Sequence, residues 1–141
     1  YFALNHKIDT IQASLLISSM DRINKIKVKR DQIASLYDEA FSDILGIQKV
    51  NKGEIHGRYI YIMACKKRDG LRKYLLNNGV ENKVFYSPLV CDAKVYRNSL
   101  NKINIPVARR LLNQSLSIPL HEKMTMKQTK YVIDTIYSYY N

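Results

Sequence analysis

The chain has 141 residues, enough for one domain with a substantial core and too few for two ordinary ones. Hydrophobic residues make up 46% and charged residues 25%, a globular composition, and no apolar run approaches the roughly 20 residues of a membrane-spanning helix. The net charge of +11 admits nucleic acid, an anionic membrane face or a small phosphorylated ligand as partner, and does not choose among them.

The sequence starts at Tyr1, and no basic segment followed by an apolar one marks a secretory signal, so the chain is expected to be a piece of a longer polypeptide. Cys65 and Cys91 lack CxxC spacing, which points to reduced thiols in a cytoplasmic protein.

Residues 8–44 contain no Gly or Pro, and Ile8, Ile11, Leu15, Ile23, Ile26, Ile33, Ala34, Tyr37, Phe41 and Ile44 recur at helical spacing. This predicts one long bent helix, or two in series broken near Asp21-Arg22, ended by Gly46. Arg22, Lys25, Lys27, Lys29 and Arg30 fall between the apolar positions and read as a solvated face.

Residues 47–50 and 59–65 are rich in aromatic and β-branched side chains and predict two strands, the second central, around the turn-prone Asn51-Lys52-Gly53. Asp69 is a candidate cap for a helix carrying Leu71, Tyr74, Leu75 and Leu76 that stops at Asn78-Gly79. A return strand is expected at Val84-Phe85-Tyr86, closed by Pro88.

Residues 89–104 read as a surface loop with a short helix around Tyr96, and Pro106 as the first turn of a further helix. Leu116-Ser117-Ile118 predicts a short strand stopped by Pro119. Thr125-Met126-Lys127-Gln128 has the form of a capping box and opens a last helix whose Val132, Ile133, Ile136, Tyr137 and Tyr140 share one face. No repeat or linker divides the chain, so the expectation is one α+β domain over 1–141: a helical segment at 1–45, then a small α/β sandwich at 46–141, with a mostly antiparallel sheet covered by helices.

Most catalytic templates are missing. The five glycines are dispersed, and residues 53–58 lack the Gly-Lys-Ser/Thr ending of a P-loop. His6, His56 and His121 have no metal-binding spacing, and no serine sits in a GxSxG elbow, so neither a metal site nor a catalytic residue is assigned. A basic nucleic-acid-binding domain remains an alternative, since Lys and Arg alternate with Tyr59, Tyr61, Tyr74, Tyr86 and Tyr96. These tyrosines fall mostly in predicted cores, and nucleic acid is not the expected partner.

Five motifs in order span nearly the whole chain: Asn5-x-Lys7-Ile8-x-x-Ile11-Gln12-Ala13, Arg30-x-x-Ile33-Ala34-x-x-Tyr37, Leu75-x-x-x-Gly79-Val80, Tyr86-x-Pro88-Leu89 and Leu116-Ser117-Ile118-Pro119-Leu120. In this order they resemble the C-terminal portion of the DegT–StrS family, the pyridoxal-phosphate (PLP)-dependent aminotransferases of nucleotide-sugar metabolism. The resemblance implies the small domain of a fold-type-I aminotransferase, from an α/β parent whose Schiff-base lysine lies on a separate large domain. No lysine of this chain has that context, so no covalently held cofactor is expected here.

For the full enzyme the resemblance implies PLP, a nucleotide-sugar substrate, an amino donor such as glutamate, and a homodimer. It makes Asn5 a ligand of the PLP phosphate across the dimer interface, although the residues alone favour Asn5 as a helix N-cap. An asparagine at a helix N-terminus suits a phosphate, because its amide and the adjacent backbone N–H groups all favour a dianion. Lys7 would face the substrate phosphates, and Tyr86 would bond a sugar hydroxyl or line the pocket. Phe85 and Val90 stand where the family often has His, and Ala3 where Gly is common. A non-catalytic interaction module that keeps the fold is the other alternative.

Overall fold

The computed structural model describes residues 8–96 and 103–141. In chain order these form α1 (Thr10–Met20), α2 (Ile23–Phe41), β1 (Gly46–Ile47), β2 (Tyr61–Ala64), α3 (Arg68–Asn77), a 3-10 turn (Val90–Asp92), α4 (Pro106–Gln114), β3 (Ser115–Ile118) and α5 (Met126–Tyr140). The strands make an antiparallel sheet in the order β1-β2-β3, so the expected α+β class holds.

The long helical segment breaks at Asp21-Arg22, as its spacing suggested. The two helices differ in what they bury. In α2 the residues Ile33, Ala34, Tyr37 and Phe41 are completely buried, one stripe along the C-terminal half of the helix. In α1 nothing is buried, and Ile11, Leu15 and Ile17 are 73%, 65% and 67% exposed. Gly46 does not end this segment: α2 stops at Phe41, and Gly46 opens β1. A Cβ on Gly46 would lie 3.1 Å from the Ala64 Cβ, so the close approach of β1 to β2 favours glycine there.

Register places Tyr61 opposite Ile118 and Met63 opposite Leu116. Alternation along β2 turns Tyr61 and Met63 inward, where they join Phe41 of α2, Leu71 and Leu75 of α3, Leu116 and Ile118 of β3, and Val132 and Ile136 of α5 in one core. The capping box of α5 is complete: the Gln128 amide N–H donates to the Thr125 hydroxyl and the Thr125 backbone N–H donates to the Gln128 side chain. Two buried threonines on α5, Thr129 and Thr135, satisfy their hydroxyls by donating to the carbonyls of Thr125 and Tyr131 one turn back.

Two further local expectations are corrected. Asp69 does not cap α3; the cap position is Lys67, and Asp69 sits in the first turn, 2.6 Å from the Arg68 guanidinium, where its charge still suits the helix dipole. The return strand at 84–86 does not form. Lys83 alone pairs with Ser117, on the edge of β3 away from β2, and the chain then turns through Tyr86 at φ +61°. A left-handed residue cannot continue a strand. The stop at Gly79 is as expected, with φ +72°.

Candidate functional site

Of the residues singled out for chemistry, Tyr86 is the one that falls among the described residues. The loop that carries it is held at both ends. At its start the Lys83 N–H donates to the Ser117 carbonyl at 3.0 Å and the Ser117 N–H donates back at 2.8 Å. At its far end the Arg109 guanidinium donates to both Asp92 carboxylate oxygens, at 2.8 and 3.2 Å, tying the 3-10 turn to α4. Between them Phe85 is half-buried beneath the Lys83 ammonium, 5.1 Å from its ring centre, and Tyr86 is 72% exposed beside it. Tyr86 thus presents a phenol able to donate and accept a hydrogen bond, on a loop fixed by its anchors. Val90 is 70% exposed, adding apolar surface to the same loop.

Asn5 and Lys7 lie outside the described residues, as does the far half of the expected helix around Tyr96. The N-cap of α1 is Asp9, whose carboxylate accepts from the Ile11 N–H at 2.8 Å. That carboxylate also occupies the positive end of the helix, which therefore does not favour a phosphate. No described lysine is buried, whereas a Schiff-base lysine is activated by desolvation.

Sequence reading missed a polar cluster that pins residues 58–61 onto α2. The Arg58 guanidinium donates to Asp38 Oδ2 at 3.0 Å, and the Tyr61 hydroxyl donates to Asp38 Oδ1 at 2.8 Å. Arg30 reaches the Arg58 and Tyr59 carbonyls and Glu122, each at 3.4 Å. Burial, then the Asp38 carboxylate, push the Tyr61 phenol well above its usual range. Arg30 carried a motif position, but nothing local announces partners 28 and 92 residues away. Of Tyr59, Tyr61, Tyr74, Tyr86 and Tyr96, only Tyr61 is buried; Tyr59 and Tyr86 are each 72% exposed.

Burial also raises the Cys65 thiol from 9.0 to about 11 and the Tyr140 phenol from 10.0 to about 12. Folding therefore retains protons that the unfolded chain releases. Stability is expected to be full below about pH 9 and to fall as pH rises from 9 to 11 and beyond, Cys65 alone accounting for on the order of 2 kcal/mol. Urea unfolding between pH 8 and 11 checks this; a flat profile would contradict it.

A family model described as the DegT/DnrJ/EryC1/StrS aminotransferase family matches residues 1–137. The chain belongs to this family. A UDP-4-amino-4,6-dideoxy-N-acetyl-beta-L-altrosamine transaminase of Campylobacter jejuni is 27% identical over 142 residues, covering 95% of this chain and 37% of its own length. The crystal structure of a DegT DnrJ EryC1 StrS aminotransferase from Brucella abortus superposes with a TM-score of 0.89 at 26% identity, over 96% of this chain and 37% of that one. A Streptococcus pneumoniae protein described as a sugar aminotransferase, in its PLP-form, shares the fold at a TM-score of 0.82 and 22% identity, over 94% of this chain and 36% of that one.

This DegT-family chain thus spans little more than a third of each of these relatives. Among its described residues no helix is long and apolar enough to cross a membrane, and no cluster of His, Cys, Asp and Glu could hold a metal ion.

Proposed function

We propose that the polypeptide carrying this chain is a PLP-dependent aminotransferase that moves an amino group, with glutamate as donor, onto the keto carbon of a nucleotide-linked sugar. This chain is its C-terminal small domain, with the helical segment 1–45 leading into the sandwich 46–141. The observation that carries the reading is membership of the aminotransferase family over 1–137, together with a UDP-sugar transaminase of which the chain spans 37%.

PLP supplies the electron sink for amino transfer and is held by the remainder of the enzyme. This chain contributes Asn5 to the cofactor phosphate of a neighbouring subunit in a cytoplasmic homodimer, Lys7 to the substrate diphosphate, and Tyr86 to a sugar hydroxyl. The exposed apolar surface of α1 supports a larger assembly, because a helix with Ile11, Leu15, Ile17 and Met20 all more than half exposed is normally covered.

Two tests follow. The purified whole polypeptide is expected to show PLP absorbance and glutamate-dependent amination of a nucleotide keto-sugar, and the absence of both would sink the reading. In that enzyme Asn5→Ala is expected to weaken cofactor retention on dialysis at least tenfold. Produced alone, the chain is expected to self-associate through α1, and Leu15→Glu/Ile17→Glu to restore a monomer by light scattering; a wild-type monomer would show that α1 needs no cover.

A second reading, a non-catalytic interaction module, draws on the absence of any buried lysine among the described residues. An adjoining coding segment for a lysine-bearing PLP domain decides against it.

A further inference from the structure

A cavity of about 670 Å³ opens between the C-terminal end of α5, the β1–β2 edge and the start of α3, and Tyr86 is not part of its lining. Its character is uniform. Leu45 and Ala64 give it an apolar floor, and Tyr139 and Tyr140 a corner of two rings 5.1 Å apart at 87°. Lys66 and Lys67, both exposed, are the charged residues of its lining, which contains no carboxylate.

A bare phosphate would fill a small fraction of such a space, and an uncharged apolar ligand would leave both ammonium groups unused. Cavities of about 300–1,000 Å³ with an apolar body and a few polar groups take ligands the size of a nucleotide. Aromatic faces stack on any base, and lysine acts as a point charge toward phosphate. Tyr140 is 38% exposed, leaving ring surface available for such stacking.

We propose that this cavity binds a nucleoside phosphate, its base against the Tyr139–Tyr140 corner and its phosphates at Lys66 and Lys67. The assignment does not depend on the aminotransferase reading and is tested separately from it. The whole polypeptide is titrated calorimetrically with UMP, with AMP and with inorganic phosphate.

At least one nucleotide is expected to saturate, with inorganic phosphate at least tenfold weaker. Lys66→Gln/Lys67→Gln, which changes exposed side chains only, is expected to weaken nucleotide binding at least tenfold and to flatten its salt dependence. Tyr140→Leu is expected to weaken it comparably, with folding checked by circular dichroism. The proposal is overturned if no nucleotide saturates by about 1 mM, or if the lysine variant binds like wild type. It is equally overturned if phosphate binds as tightly as the nucleotides, which would mark a simple anion site.

Discussion

Replacing Phe41 by alanine is expected to lower the unfolding free energy by about 4 kcal/mol, a large share of the roughly 5–15 kcal/mol available to a domain of this kind. The ring is completely buried at the last turn of α2. It stacks on Tyr37 with centroids 5.7 Å apart and lies 6.4 Å from the Tyr137 ring, so it joins α2 to α5. Truncation removes the transfer free energy of the ring and leaves a cavity that two helices and a sheet cannot both move to fill. Urea denaturation measures the loss. A change below about 1 kcal/mol would mean that this end of α2 collapses freely into the gap.

Asp38→Ala is the second large effect, expected at about 2–3 kcal/mol. The carboxylate is the shared acceptor of the Arg58 guanidinium and the Tyr61 hydroxyl, and its removal strands the Tyr61 hydroxyl and leaves Arg58 only its pairing with Asp31 at 3.5 Å, in places where little water reaches them. Arg58 has a side chain only 12% exposed and Tyr61 is 4% exposed. Losing one partner of a fully buried pair costs about 3–5 kcal/mol, and the figure is lowered here because Asp38 itself is 29% exposed.

Tyr61→Phe in the Asp38→Ala background removes one stranded donor. The double variant is therefore expected to be more stable than the sum of the single losses by about 1 kcal/mol, a coupling that a double-mutant cycle reads directly. Strict additivity would show that the two groups do not share the carboxylate in solution.

Much of the local structure was legible in the residues. The capping box of α5, the left-handed stop at Gly79, Pro106 at the start of α4 and the break at Asp21-Arg22 all lie where their chemistry put them. Each depends on atoms within about four residues along the chain, so composition and spacing suffice. The failures have a common form. Val84-Phe85-Tyr86 has strand-like residues, yet only Lys83 pairs, because the chain must turn into Tyr86 beside an edge of β3 that the sequence does not reveal. Both α1 and α2 carry apolar residues at helical spacing, but α1 is apolar all round and buries none of them, while the single stripe of α2 is covered by the core.

For the candidate site, Tyr86 was picked out by a motif, and its exposure and its anchoring through Lys83–Ser117 and Arg109–Asp92 came from the fold. Sequence by itself determined the family of this chain, the order and type of most elements, and the residues that cap and stop its helices. Tertiary structure alone decided which apolar stripe is buried, that Asp38 serves two donors from β2 and its approach, and that Lys66 and Lys67 share a cavity with Tyr139 and Tyr140. The difference is physical: caps and turns are satisfied within one turn of chain, whereas burial and charge pairing between distant residues exist only after the backbone has closed the loops between them.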